Sequence, residues 1–455
     1  MSTQLQPPAS PATSDDREWI TEQVGNIVRF DRLPGGGQRL TWLLDVQPKH
    51  GGPAQLILQR VGFGPYVGTP LADFEWQSAV LRELGAAGVA VPGVVALSPD
   101  GNAMLSTRIA GSSEFDALAD TRQRRAVARS FLAELAKLHR VDATKLKLPA
   151  RVRMPRSCRE AALAWVELWQ QLFDSKVQRP APVVRIALQW LKAHAPEAEG
   201  HLTICWGDVG PGNFLFEGDQ CTALLDWELT HIGDPHDDLG ILALRAYQMS
   251  DFGDINADLT LYEQLSGMPV DRQRVKYYRL ASLVMGTVTS LIQLDREVAG
   301  RVAMPLYLHL VPYLQWLIAQ ALMDLMGLKP EEIAIPPARV SAPELEIVHT
   351  LREEVQNAGA AAHRVQGIDD LLAHLEARAH IGNAVDTAEL DDIERLLGSR
   401  PPTIREGIQA LDRRLQQSQL DMGELVRFTY RSTVRQSSLW PAWAQRYRTP
   451  LTRIG

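Results

Sequence analysis

At 455 residues the chain is longer than one ordinary hydrophobic core requires, and its length favours two or three domains. Hydrophobic residues make up 45% and charged residues 22% of the chain, a composition that excludes a globally disordered protein. The formal net charge is −7 and no long basic run occurs, so we expect no nucleic-acid-binding surface. The three cysteines, Cys158, Cys205 and Cys221, indicate neither a disulfide framework nor a cysteine-based zinc site, which fits a reducing cytoplasm.

The amino-terminal part of the chain predicts a tail followed by a small sheet. Residues 1–26 contain no apolar stretch typical of a secretory signal, so we expect a flexible N-terminal tail there. Residues 27–107 combine one helical segment, at 73–84, with short strand-like runs bounded by turns. The strand-like runs are residues 39–46, 55–61 and 94–97.

Residues 108–335 change to long amphipathic helices, the clearest at residues 121–140, where apolar side chains recur near the helical period. We expect His139, near the end of this helix, to be a structural hydrogen-bonding or capping residue, because cations suit the carboxyl ends of helices. An exception to the helical pattern is a pair of strand-like runs, residues 214–216 and 223–225, which a Glu-Gly-Asp turn joins into a hairpin.

One uncharged stretch, between Val302 and Met323, has the length of a membrane-spanning helix, for which about 20 apolar residues are needed. Pro305 and Pro312 interrupt its first half, and prolines disfavour a continuous helix there. We therefore expect a buried helix and no membrane attachment.

Pro336-Pro337 interrupts the helical pattern in the manner of a linker, and residues 342–455 after it have the composition of charged helices. We interpret this part as a separate carboxy-terminal helical domain. It contains no catalytic or metal-ligand motif, so we expect it to serve packing, partner binding or the formation of a homodimer.

The segment with the clearest chemical pattern runs from Asp208 to Asn213 and is followed by Asp226 on the second strand of the hairpin. Phosphoryl transfer needs a carboxylate beside the attacking hydroxyl and oxygen ligands that hold magnesium against the phosphates. Two carboxylates and one amide at this spacing provide all three groups. The alternative is an ordinary turn, since Asp, Gly, Pro and Asn all favour turns.

The motif Gly207-Asp208-x4-Asn213, followed by Asp226-Trp227-Glu228, resembles the catalytic loop and metal-binding segment of the aminoglycoside and choline phosphotransferases. Together with Gly233-Asp234-Pro235-x2-Asp238 it resembles the branch related to the phosphotransferase domain of acyl-CoA dehydrogenase fusion proteins. Residues 342–455 resemble a helical domain of unknown function fused behind such phosphotransferases. The resemblance implies an α+β, bilobal protein-kinase-like fold, with a small β-rich N-lobe and a mostly helical C-lobe, plus an all-helical carboxy-terminal domain.

The same resemblance implies ATP and Mg²⁺ as cofactors, bound between the lobes. By this likeness Asp208 is the catalytic base or hydroxyl-orienting carboxylate, and Asn213 and Asp226 are magnesium ligands. Asp238 is expected to brace the catalytic loop and not to touch the substrate.

Upstream, Gly36 and Gly37 resemble the family's glycine loop over the phosphates. The family places a Lys or Arg on the α- and β-phosphates at a position matched by Gln59, with Arg60 next to it. Successive strand residues face opposite ways, so Arg60 could replace that cation only with a bulge or a register shift of one residue. The helical glutamate that pairs with the cation is matched by Gln77, and the usual loop histidine by Trp206.

The sequence thus predicts an ATP- and Mg²⁺-dependent phosphotransferase acting on a hydroxyl of a small molecule, and the branch suggests a hydroxyacyl-CoA-type acceptor. A pseudokinase that binds a nucleotide or partner without transfer is the alternative, favoured by Gln59, Gln77 and Trp206. A protein kinase is disfavoured because Asp226 leads within about a dozen residues to Asp238 and leaves no activation loop.

Overall fold

The computed structural model describes residues 14–33, 39–48, 52–62, 66, 69–196, 200–248, 254–295, 304–334, 344–357, 362–417, 420–441 and 451–455. The chain divides into two compact units. The first comprises Met1–Ala161 and Glu197–Asp271, and the second comprises Ala162–Pro196 and Arg272–Gly455.

The first unit opens with a five-stranded antiparallel sheet in the order β1-β2-β3-β5-β4 and one long helix, α2. On one face of the sheet, Trp42 and Leu44 of β2 pack with Leu56 and Leu58 of β3 in a hydrophobic core. The bounds are β1 Asn26–Arg32, β2 Arg39–Gln47, β3 Ala54–Val61, α2 Phe74–Ala86, β4 Val94–Leu97 and β5 Ala103–Thr107.

A helix, α1 (Ser14–Val24), forms within the segment that the sequence predicted as a tail. Its Trp19 and Ile20 are buried in the same core as the inner face of the sheet. Asp16 accepts a hydrogen bond from Arg60 Nη1 at 2.5 Å. The helix is therefore held by apolar burial and an ion pair, neither of which can be read from local composition.

The remainder of the first unit is mostly helical, with two short antiparallel ribbons, β6 with β9 and β7 with β8. The β7–β8 ribbon confirms the predicted hairpin, with residues 214–217 and 220–224 as its strands. The second strand ends at Leu224, so Asp226 follows the hairpin and is not on its second strand as predicted. The bounds are α3 Thr121–His139, β6 Thr203–Cys205, β7 Phe214–Glu217, β8 Gln220–Leu224, β9 His231–Gly233, α6 His236–Gln248 and α7 Ile255–Ser266.

Helices alone form the described part of the second unit, which also takes in most of α4. Leu317 and Ile318 of α9 are fully buried, which confirms the predicted buried helix. None of the helices in the described ranges has the length and apolar character needed to cross a membrane. The bounds are α4 Cys158–Lys176, α5 Pro182–Ala193, α8 Arg272–Asp295, α9 Met304–Leu325, α10 Glu344–Asn357, α11 Ala362–Leu397, α12 Ile404–Gln416 and α13 Met422–Ser438.

Candidate active site

The loop that carries Asp208 leaves β6 through a glycine that no other residue could replace without strain. Gly207 has φ +89°, in the left-handed region, and a Cβ there would collide with the carbonyl oxygen of Leu229. The chain therefore turns sharply at this point, and the next residues form the loop that ends at Asn213.

Asp238, on α6, holds the start of this loop. Its two carboxylate oxygens accept hydrogen bonds from the backbone N–H groups of Trp206, at 2.7 Å, and Gly207, at 2.8 Å. His139 Nε2 lies 2.9 Å from the same carboxylate, and His139 Nδ1 lies 2.7 Å from the Tyr262 hydroxyl. The predicted bracing role of Asp238 and the structural role of His139 are both confirmed.

Asp208, Asn213 and Asp226 are brought together by hydrogen bonds within one loop and the adjoining hairpin. Asn213 Nδ2 donates to the backbone oxygen of Asp208 at 2.9 Å, and the Leu225 N–H donates to the Asn213 backbone oxygen at 2.7 Å. Trp206 Nε1 donates to the Leu225 oxygen at 2.7 Å. The indole at the usual histidine position thus ties the catalytic loop to the residue before Asp226.

Asp226 has a left-handed backbone conformation, which is uncommon for a residue other than glycine. Its φ is 57° and ψ 68°, and no other described residue except glycine has a positive φ. Such a conformation costs of order 1–3 kcal/mol and recurs at active sites. Its side chain reaches solvent but is crowded by protein. This restricted hydration raises the pKa of Asp226, the Asp208 charge raises it further, and Arg39 and Arg245 oppose the rise.

Asp208 is engaged by a residue that the sequence did not single out. Arg245 Nη2 of α6 donates to Asp208 Oδ1 at 2.5 Å. A Cβ at Gly210 would lie 2.9 Å from Arg245 Cγ, so this loop glycine leaves the room that the arginine occupies. Arg245 lies seven residues after Asp238, on the same face of α6. This spacing was the sequence signal that could have placed Arg245 near the loop that Asp238 holds.

A cavity of about 710 Å³ lies beneath the sheet, within the size range of ligand pockets. Its lining includes Asp226, Thr41, Gln59 and the segment 108–111 that follows β5. Gln59 therefore faces this cavity, and its contact with the nucleotide phosphates stays a prediction. Gly36 and Gly37, the predicted phosphate loop, fall outside the described residues.

Arg60 lies on the opposite face of β3 from Gln59. Its guanidinium donates to Asp16 at 2.5 Å and to Asp100 at 3.1 Å. The β2–β3 register is continuous from Arg39 opposite Val61 to Val46 opposite Ala54, without the bulge that would turn Arg60 toward the cavity. Arg60 consequently does not line the cavity that contains Asp226 and Gln59.

Arg39, the first residue of β2, is the cation that faces the cavity near Asp226, and the sequence analysis missed it. Its Nη1 donates to Gln77 Oε1 at 2.7 Å and its Nε lies 3.4 Å from Glu228 Oε2. The guanidinium carbon lies 4.5 Å from the centre of the Phe74 ring. Burial raises the pKa of Glu228 to about 8, with Asp226 adding to the rise and Arg39 opposing it. Side chains alternate between the two faces of β2, and this alternation was the sequence signal that could have placed Arg39 on the cavity side.

The donor set fits a hard divalent cation. A carboxylate at Asp226 and an amide oxygen at Asn213 are ligand types that Mg²⁺ prefers, and the repulsion between Asp226 and Asp208 is what a cation would relieve. No group of three or more His, Cys, Asp or Glu side chains able to hold a metal occurs in the described part of the chain. A metal here would need further oxygens, such as those of phosphate and water.

Comparisons with known proteins identify the family of the chain. The model of the phosphotransferase enzyme family, APH, matches residues 26–278, more than half of the chain. Acyl-CoA dehydrogenase family member 11 of Mus musculus is 27% identical over 158 residues, which are 34% of this chain and 20% of that protein. Family member 10 of the same organism is 26% identical over 252 residues, 51% of this chain and 22% of that protein.

The match thus spans about a fifth of the length of these relatives. A crystal structure of a candidate aminoglycoside phosphotransferase from Ralstonia eutropha JMP134 superimposes with a TM-score of 0.52 at 18% identity. It covers 69% of this chain and 96% of that one. The predicted α+β, protein-kinase-like fold is confirmed, and the chain belongs to the phosphotransferase enzyme family.

Proposed function

We propose that this protein transfers the γ-phosphoryl group of ATP, with Mg²⁺, to a hydroxyl group of a small molecule. The observation that carries the proposal is that Asp208, Asn213 and Asp226 lie close together and that Asp226 also lines a cavity of about 710 Å³. Membership of a phosphotransferase family supports the reaction class.

In the proposed reaction Asp208 orients the acceptor hydroxyl and takes its proton late, as the bond from oxygen to phosphorus forms. Arg245 fixes the direction of the Asp208 carboxylate through its 2.5 Å hydrogen bond. Asn213 and Asp226 would hold Mg²⁺, which neutralises phosphate charge when bound. Because phosphoryl transfer has a loose transition state, positioning and electrostatics supply most of the rate.

For the acceptor we propose a hydroxyacyl-CoA-type molecule. The support is the match to two acyl-CoA dehydrogenase family members, over about a fifth of their length. A screen of candidate hydroxyacyl-CoAs and other hydroxylated metabolites, read by mass spectrometry as an ATP-dependent gain of one phosphate, tests the acceptor class. Phosphorylation of sugars or antibiotics alone would refute the acyl-CoA assignment and leave the reaction class standing.

The residue assignment is tested with Asp208→Ala. We expect turnover to fall by roughly 10²-fold or more, as for loss of a general base. Asp219→Ala, an exposed aspartate in the hairpin turn, is the matched control and should keep wild-type turnover. Wild-type turnover by Asp208→Ala would contradict the role given to Asp208.

The pseudokinase alternative predicts Mg²⁺-dependent thermal stabilisation by ATP without turnover of any acceptor. Three expectations also stay predictions: the domain limits at residues 26, 107, 335 and 342, the cytoplasmic location, and a homodimer through the carboxy-terminal helices. Light scattering of the purified protein tests the homodimer.

A further inference from the structure

We infer that Arg39, on β2, supplies the positive charge for the nucleotide phosphates that family resemblance assigned to β3, at Gln59 or Arg60. The inference rests on the proposed function, since it concerns a nucleotide in the same cavity. It makes Arg39 a binding residue on a strand adjacent to the expected one.

The faces of the sheet decide which side chains can reach the nucleotide. On β3, Leu56 and Leu58 point into the hydrophobic core, and Arg60 continues that face toward Asp16 of α1. Gln55 and Gln59 point the other way and line the cavity. The strand that resemblance designates therefore offers the cavity only uncharged side chains, those of Gln55, Ile57 and Gln59.

On β2 the alternation is the same, and here it turns a cation toward the cavity. Trp42 and Leu44 face the core, while Arg39 and Thr41 line the cavity. Thr41 is directly opposite Gln59 in the ladder, so Arg39 lies one strand over and two residues along, about 6.6 Å further on. Arg39 and Asp226 both line this cavity.

Arg39 is held in place but keeps hydrogen-bonding capacity. Its Nη1 and Nε are directed at Gln77 and Glu228, and its plane lies over Phe74. A guanidinium carries five N–H donors, and Nη2 has no hydrogen-bond partner among the described residues. A planar, preorganised fork of this kind suits phosphate oxygens.

The same arrangement explains why Gln77 replaces the usual glutamate. Arg39 already has Glu228 as a carboxylate neighbour at 3.4 Å. A carboxylate at position 77 would compete with phosphate for the positive charge of Arg39, whereas the Gln77 amide oxygen orients the guanidinium without adding a negative charge. Gln59 and Gln77 are thus consistent with a relocated cation and do not by themselves indicate a lost one.

Other arginines near the site are placed for different contacts. Arg108 also lines the cavity, but it donates to Gln55, which is paired with Asp45, six residues from Arg39 along β2, or about 20 Å. Arg245 is bound to the Asp208 carboxylate. Arg39 is therefore the cation that the cavity offers beside Asp226.

The test compares ATP with adenosine, because adenosine lacks the phosphates. Calorimetric affinities are measured with Mg²⁺ for the full-length wild type, Arg39→Met, Arg39→Lys and Arg60→Met. We expect Arg39→Met to weaken ATP binding about 10- to 100-fold, the size of one or two charge-assisted hydrogen bonds, and to leave adenosine binding within about twofold. Arg39→Lys should lose less. Arg60→Met, the same change on the next strand, should keep wild-type ATP affinity.

A double variant, Arg39→Met with Gln59→Lys, moves the cation back to β3 and should recover part of the ATP affinity. Melting curves of every variant identify any that fails to fold. If Arg39→Met fails to fold, the ATP affinities of Arg39→Lys and of the double variant test the inference. Equal ATP affinity of wild type and Arg39→Met, or parallel losses for ATP and adenosine, overturns the inference and leaves the proposed function intact. Failure of the wild type to bind ATP overturns both.

Discussion

The hydrogen bonds that Asp238 accepts predict that its replacement by alanine destabilises the protein more than its replacement by asparagine. Asp238→Ala removes the acceptors for two buried N–H groups, those of Trp206 and Gly207. A hydrogen bond to a charged group contributes about 1.5–3 kcal/mol, so the alanine variant should lose about 3–6 kcal/mol. Asp238→Asn keeps one acceptor oxygen and should lose about half as much. The order of stability is therefore wild type, then Asn, then Ala.

Two measurements test this order. Urea unfolding should give falling midpoints with an unchanged slope, and hydrogen exchange should show faster exchange of the Trp206 and Gly207 amides. Asp219→Ala, exposed in the hairpin turn, should stay within about 0.5 kcal/mol of wild type. An alanine variant with the wild-type midpoint and unchanged amide protection would show that Asp238 does not hold the loop.

Three further changes have definite expected outcomes. Gly207→Ala should abolish activity and destabilise the protein by more than about 2 kcal/mol, because the new Cβ collides with the Leu229 carbonyl. Gly218→Ala is the control: its φ is +58° but its surroundings are open, so it should cost about 1–2 kcal/mol and keep activity. Activity and urea-unfolding measurements on both variants test this difference. Burial raises the pKa of Asp258 from 3.8 to about 7, so the stability that its protonation contributes should be lost as pH rises between these values, and thermal melts of Asp258→Asn should lack this loss. Trp19→Ala, which empties a buried site between α1 and the sheet, should cost about 3–5 kcal/mol in urea unfolding.

The pH prediction follows from the direction of the proton equilibrium. The folded protein binds the Asp258 proton more tightly than the unfolded chain, so protonation favours folding at low pH and this advantage is lost as pH rises to about 7. An asparagine carries no such proton. Equal pH slopes for the two proteins would show that Asp258 titrates normally.

Local patterns predicted the parts of the site that are close together in the chain. The spacing of Asp208 and Asn213 and the hairpin before Asp226 are short-range features, and the structure brings these three residues together. The cation was harder to predict. Gln59 and Arg60 were considered because resemblance points to β3, but which strand turns a charge toward the cavity depends on the pairing of β2 with β3.

The sequence by itself determined the family, the kinase-like fold class, the loop from Asp208 to Asn213 and the bracing role of Asp238, because these depend on residue types at fixed short spacings. Only the tertiary structure decided that α1 packs on the sheet, that Arg60 faces Asp16, and that Arg39 and Arg245 stand beside the acidic groups. Each of these depends on contacts between residues far apart in the chain, where burial and charge pairing select one partner among many. Periodicity assigns a residue to one face of its strand or helix, but it does not select the partner on the neighbouring element.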